Sequence, residues 1–237
     1  MKVIFIGDIV GKEARETFID KIPFIKTQYQ PDVLIVNAEN AAAGYGLTKK
    51  IAVQLIDAGV DSITLGNHAW DQKELLSYIE ECPKIVRALN YPSGVPGKGY
   101  YELILPNHKK IIIMQVMLRL FMGLSLDDPF SVTKKFLQKA KLGSTCAAII
   151  VDMHGEATSE KNAFTTPGRY LVGSTIRSEK YGGGFFVISI SDGIIFETCN
   201  GDKLSLYLNR VSSIFLPTIG KRGIRVKSTL ESTAPSS

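Results

Sequence analysis

Short apolar and β-branched runs recur along the chain, separated by glycine, proline and polar clusters. Residues 3–6 run into Gly7, and residues 33–36 follow Pro31 and Asp32. Residues 61–65 lie between Gly59 and Gly66-Asn67, and residues 85–88 follow Pro83. Runs of this kind, bounded by turn residues, predict strands of a parallel sheet covered on both faces. Between the second and third runs the spacing becomes helical. Thr48 stands as an N-cap, Ile51, Ala52, Leu55 and Ile56 share one face, and Gly59 is the stop. Asp71 with Glu74 three residues on has the form of a capping box for a helix over residues 71–82, with Leu75, Leu76 and Ile79 inward. Alternating strands and helices predict an α/β fold.

The second half changes character. Residues 100–105 and 110–116 flank Pro106-Asn107-His108-Lys109, the pattern of a hairpin. Residues 132–141 read as helix, and residues 147–153 as a buried strand ending at His154. After Tyr170 the pattern is mostly short strands, at 185–190, 194–198 and 204–208. There is no internal repeat. Residues 1–226 are expected to form a single domain, and residues 227–237, rich in Ser, Thr and Pro, a frayed tail.

Composition narrows the class. In 237 residues, 45% are hydrophobic and 22% charged, which supplies a core and excludes a disordered or low-complexity chain. The apolar runs fall far short of the roughly 20 residues of a membrane span. The first residues open on a strand pattern rather than on a basic stretch and an apolar core, so a cytoplasmic protein without a signal peptide is expected. Cys82, Cys146 and Cys199 are odd in number and widely spaced, which argues for reduced, structural thiols and against a cysteine metal site. The net charge is +5, and residues 201–237 carry six Lys or Arg against two acids. A basic segment attracts polyanions, but no nucleic-acid fingerprint accompanies it, so a solvated tail is the better reading.

Polar residues collect just past the predicted strand ends, the edge at which open parallel sheets bind ligands. Asp8 follows the first strand, Glu39 and Asn40 the second, Asn67 and His68 the third; Asp152 and His154 close the later strand. Carboxylate, amide and imidazole together are donors for a divalent metal, and two such ions can clamp a phosphate ester and activate a water. A histidine left unligated can protonate the leaving oxygen. Plainer readings exist for each residue alone: a turn or cap for Asp8, a polar loop for Glu39-Asn40, a satisfied core histidine for His154. Taken in order and at strand ends, they favour a site. Gly44-Tyr45-Gly46 either cradles a phosphate by its N–H groups or is simply a loop that needs positive φ. No GxGxxG follows the first strand, which removes a dinucleotide-binding reading.

Several longer motifs carry a resemblance. Gly7-Asp8-Ile9-Val10-Gly11, Asn37-Ala38-Glu39-Asn40-Ala41-Ala42, Gly66-Asn67-His68-Ala69-Trp70-Asp71 and the stretch opening Asp152-Met153-His154-Gly155-Glu156 resemble the YmdB-like family. These are calcineurin-type metallophosphoesterases acting on 2′,3′-cyclic nucleotides. The likeness runs over roughly residues 1–173. It implies a four-layer α/β sandwich, two central β-sheets flanked by helices, with a dinuclear iron or manganese site. By position, the resemblance makes Asp8, Glu39 and Asn40 ligands of one ion, and Glu39, Asn67 and His154 ligands of the second, with Glu39 bridging. It makes His68 the proton donor. It also implies a small phosphodiester or cyclic nucleotide as partner, without a membrane or a stable nucleic-acid partner. A homo-oligomer is compatible with it.

One departure stands out. The family carries a Gly-Thr-His-Thr-His motif that gives each metal a further histidine; here the matching stretch is Gly173-Ser174-Thr175-Ile176-Arg177. Threonine is a poor neutral ligand, and arginine offers no lone pair. Arg177 would set a positive charge where a cation belongs, bind a phosphate by its guanidinium fork, or pair with Asp8 or Glu39. Two functions follow as alternatives. One is a metal-dependent phosphodiesterase with weakened metal binding, one ion or none in place of two. The other is a degenerate domain that binds a phosphate ligand or a protein without turnover.

Overall fold

A computed structural model describes residues 2–7, 9–141, 144–165, 184–189, 194–199, 203–208 and 225–227. In chain order the elements are β1 (Lys2–Ile6), α1 (Gly11–Tyr29), β2 (Val33–Asn37), α2 (Lys49–Asp57), β3 (Ser62–Thr64), α3 (Leu75–Glu81), β4 (Ile85–Val86), β5 (Tyr100–Ile104) and β6 (Lys110–Met117). They continue as α4 (Pro129–Leu137), β7 (Ala148–His154), α5 (Thr158–Thr165), β8 (Gly184–Ser189), β9 (Ile194–Cys199), β10 (Lys203–Leu208) and β11 (Arg225–Lys227).

The strands form two sheets. One runs β11-β10-β9-β1-β2-β3-β4 and the other β5-β6-β7-β8. Strands β1 to β4 are mutually parallel, and β9 closes antiparallel on β1. In the second sheet β5 and β6 make the expected hairpin, while β7 lies parallel to both β6 and β8.

Side-chain alternation along the strands builds the layers. Ile4, Leu34, Val36 and Ile63 face one way and pack with Phe18 and Ile22 of α1, Ile51 and Leu55 of α2 and Leu75 and Ile79 of α3. Their neighbours Val3, Phe5, Val33 and Ile35 face the other way, onto Ile111, Ile113, Ala148 and Ile150 of the second sheet. The far face of that sheet, with Ile112, Met114, Ile149 and Val151, is covered by Phe130 and Phe136 of α4 and Phe164 of α5. Strands apolar on both faces are what a sheet sandwiched between a helix layer and a second sheet requires. The order of layers is therefore helix, sheet, sheet, helix, as expected. Among the described residues no helix is long and apolar enough to cross a membrane. Cys82 and Cys146 are buried free thiols.

Several boundaries depart from the sequence reading, each for a local reason. Thr48 caps α2 as expected, its hydroxyl accepting from the Ile51 N–H at 3.2 Å. The capping box for a helix over residues 71–82 does not form. Helix α3 starts at Leu75 and has no side-chain cap, because the Glu74 carboxylate accepts from the Lys49 N–H at 2.8 Å and Asp71 is held by His68. Leu76 is correspondingly exposed, at 41%, rather than inward. Helix α4 begins at Pro129 rather than residue 132. Asp128 accepts from the Ser131 N–H, and proline at the first helical position has its φ preset for a helix. The hydrophobic pattern does not announce α1, which carries Pro23 within it and buries only Phe18 and Ile22. Within the basic segment from residue 201 the expected strand at 204–208 forms as β10, and β11 pairs with it and extends the first sheet, so this part is not tail. Residues 228–237, expected to fray, lie outside the described residues.

Candidate active site

The site is built where the second sheet meets loops of the first. Asn37 ends β2, and its amide donates to Asp152 Oδ2 of β7 across the seam between the sheets at 3.2 Å. Two residues further along each chain, Glu39 Oε1 lies 3.2 Å from His154 Nδ1. Asp152 and His154 share a face of β7, so the buried Asn37–Asp152 contact brings His154 level with the turn after β2 that carries Glu39. Gln115 of β6 also donates to Asp152 Oδ2, at 3.5 Å, and the Glu39 N–H donates to Asn37 Oδ1 at 3.2 Å.

Glu39 is 3% exposed. The loop after β3 wraps over it: the His68 N–H donates to Glu39 Oε2 at 3.3 Å. Gly66 is required by this approach, since a Cβ there would fall 1.9 Å from Glu39 Oε2. The same loop presents Asn67, whose Oδ1 is 2.8 Å from His154 Nε2. The His68 ring is held by Asp71, Nδ1 to Oδ2 at 2.6 Å. Burial, with the positive charge of Lys161 and the neighbouring His68, pushes His154 down to about 4, so its imidazole is neutral at pH 7.

A neutral imidazole has one N–H and one lone pair. His154 nevertheless faces an oxygen at each nitrogen, Glu39 on one side and Asn67 on the other. The carboxylate and amide oxygens within 3.2 Å of the His154 imidazole complete a set of donor types that suits a divalent cation. Glu39, Asn67 and His154 are the side chains able to share one. Among the described residues no three His, Cys, Asp or Glu side chains converge. The described donor set is one carboxylate, one amide oxygen and one imidazole.

Of the residues expected at the site, Glu39, Asn67, His68 and His154 are brought together. Asn40 follows Glu39, and its carbonyl accepts from the Gly11 and Gly44 N–H groups at 3.0 and 2.9 Å, joining the start of α1 to this loop. Asp8, Thr175 and Arg177 lie outside the described residues. His108 sits in the β5–β6 turn, at the end of the second sheet opposite His154. Two residues carry roles that the sequence reading does not give them. Asp71 serves His68 rather than a helix. Asp152, which in the sequence only closes a strand, ties the sheets together. The signal for Asp71 is its place three residues after His68, which a turn folds back onto the ring.

Two stacked sheets, with acid, amide and imidazole gathered on loops past the strand ends, place the chain among α/β sandwiches of the phosphoesterase type. The solved structure of a novel phosphatase from Mycoplasma pneumoniae is similar, with a TM-score of 0.63 and 36% identity, over 70% of this chain and 59% of that one. So is that of a hypothetical protein from Thermus thermophilus, with a TM-score of 0.63 and 41% identity, over 70% and 62%. The family model described as YmdB-like protein matches residues 4–173, and the chain belongs to that family. A 2',3'-cyclic-nucleotide 2'-phosphodiesterase of Bacillus subtilis is 42% identical over 171 residues, 71% of this chain and 63% of that protein. The match thus spans less than two thirds of the length of these relatives. The family match stops two residues before Thr175.

Proposed function

We propose that the chain is a metal-dependent phosphodiesterase acting on 2′,3′-cyclic nucleotides or similar small phosphodiesters. The observation that carries this reading is His154, set between the oxygens of Glu39 and Asn67, with His68 next to Asn67 on its loop. The name of the Bacillus subtilis relative supports the substrate class.

Glu39, Asn67 and His154 would hold a divalent ion, iron or manganese; by resemblance, Asp8 and Asn40 would complete the set with Glu39. Such an ion, when bound, supplies charge to the phosphate oxygens and lowers the pKa of a water. His68, as the imidazolium, would donate a proton to the ribose oxygen as the phosphorus–oxygen bond breaks, while the water that adds to the phosphorus releases a proton to solvent. Asp71 accepts from His68 Nδ1 and so turns Nε2 outward, where the ring carries a second proton to donate only as the imidazolium. Burial of Glu39 keeps its carboxylate fixed for the ion rather than for water.

A second reading, a phosphate-binding or protein-binding module with lost or weak metal, is favoured by one observation. By the resemblance, Thr175 and Arg177, which lie beyond the family match, stand where the family motif has histidines. Elemental analysis of the purified chain, beside hydrolysis of adenosine 2′,3′-cyclic phosphate with and without added manganese, separates the two. The phosphodiesterase reading expects hydrolysis that rises with manganese, no more than about one tight ion per chain, and a further gain in the Thr175→His, Arg177→His double variant. Two tight ions in the unaltered chain would refute the claim that these positions lack ligands. No hydrolysis in either condition would leave the binding module.

A further inference from the structure

Tyr45 is 65% exposed, yet its backbone is among the most firmly tied in the loop after β2. The Tyr45 N–H donates to the Ala42 carbonyl at 3.1 Å, and the Ala42 N–H to the Gly46 carbonyl at 3.0 Å. Gly44 and Gly46 supply the turn, with φ of 88° and 79°. A Cβ at Gly46 would press on the His68 carbonyl and on Gln72 Cγ, each at 3.0 Å, so the loop rests directly on the turn that carries His68. The Gln72 side-chain amide clamps the Tyr45 carbonyl at 2.6 Å. Backbone bonds and glycines thus set the loop's shape, and the Tyr45 ring contributes little to it.

That ring stands 6.0 Å from the His68 ring, centroid to centroid, at an interplanar angle of 87°. Edge contact of this kind leaves a broad apolar ring surface facing solvent at the mouth of the site. An aromatic ring kept exposed on a rigid support beside an anion-handling site is what base stacking uses. We propose that Tyr45 is a nucleobase platform. It stacks on the base of a nucleoside cyclic phosphate whose phosphate is turned over beside His68. This rests on the phosphodiesterase reading and sharpens it, by making the base a recognised part of the substrate. In such a substrate the base hangs on the ribose carbon next to the cyclic phosphate, so the ribose alone separates the reacting group from the ring that would hold the base. The phosphate-cradle reading of Gly44-Tyr45-Gly46 gives way to one in which the glycines shape the loop and the side chain meets the ligand.

The full chain is assayed on adenosine 2′,3′-cyclic phosphate and on glycerol 1,2-cyclic phosphate, which has no base. Tyr45→Ala is expected to lower the ratio of the two kcat/KM values about tenfold or more, chiefly through KM for the adenosine substrate. Tyr45→Phe keeps the ring and is expected to hold the ratio within about twofold. An unmoved ratio in Tyr45→Ala, whatever the absolute rates, overturns the proposal. Calorimetric titration with adenosine 3′-phosphate and with ribose 5-phosphate provides a readout free of turnover. The unaltered chain should bind the nucleotide better, and Tyr45→Ala should erase the difference. If neither ester is hydrolysed, the phosphodiesterase reading fails, and the titration alone decides Tyr45. Equal binding of the two ligands by the unaltered chain would sink the platform.

Discussion

Two contacts join the sheets at neighbouring heights and behave in opposite ways. At the lower level the amides of Asn37 and Gln115 both point at Asp152 Oδ2, from 3.2 and 3.5 Å, inside a buried seam, although Gln115 Oε1 has no hydrogen-bond partner among the described residues. At the upper level Glu39 and Asn67 approach one imidazole from both sides, with oxygens 3.2 and 2.8 Å from its two nitrogens. The same two-residue step, from Asn37 to Glu39 just past β2 and from Asp152 to His154 on β7, thus serves twice. Below, it locks the sheets in register. Above, at the open edge, it sets the Glu39 carboxylate beside the His154 ring. A hydrogen-bonded pair inside a seam serves stability, whereas donor groups gathered at an open sheet edge serve a ligand.

This contrast can be broken from either side. The largest effect is expected at the upper level. His154→Ala should cut manganese-supported hydrolysis of the cyclic nucleotide about a thousandfold, the several kcal/mol that a lost metal contribution represents, while urea unfolding stays near that of the parent. Asp152→Ala should do the reverse. It strands the amides of Asn37 and Gln115 and should cost about 2–3 kcal/mol in urea unfolding. Equal stability losses in the two variants would erase the distinction between the levels. Asp71→Asn should slow turnover roughly 10- to 100-fold by loosening the His68 ring, with metal content unchanged. Loss of metal in that variant would make His68 a ligand rather than a proton donor.

The smallest effect lies away from both levels. Asp128 caps α4; burial opposes its charge, but the hydroxyl and N–H of Ser131 outweigh burial and hold the carboxyl below the usual range. A carboxyl depressed in the folded state adds stability above its unfolded pKa and loses it as pH falls through the folded value. Asp128→Ala should therefore cost about 1 kcal/mol near neutrality, and the gap to the parent should shrink in acid, as thermal unfolding at pH 7 and at acid pH can read.

Much of the site is legible in the sequence because strand ends are legible. Runs such as residues 33–36 stop at turn residues, and whatever follows them is carried to the sheet edge; Glu39, Asn67, His68 and His154 stand out in this way. Asp71 does not, because an acid three residues before Glu74 fits a helix cap and three residues after His68 fits a turn contact. Only the neighbours choose between them: Glu74 is drawn to the Lys49 N–H, and Asp71 is left to the histidine. Leu76 reads as inward for the related reason that α3 starts later than the pattern suggests, which turns its face outward. Helix α1 is hard to see in the pattern because few of its positions are apolar.

The chain by itself determined where most strands lie, which residues cap α2 and which donor types stand at the strand ends, since these depend on neighbours a few positions apart. It could not decide that β7 would stack against β2, bringing Asp152 to Asn37 across 115 positions and His154 to Glu39 beside it. That meeting comes from burying the inner faces of two sheets against each other, a balance of apolar areas far apart in sequence that no local pattern encodes.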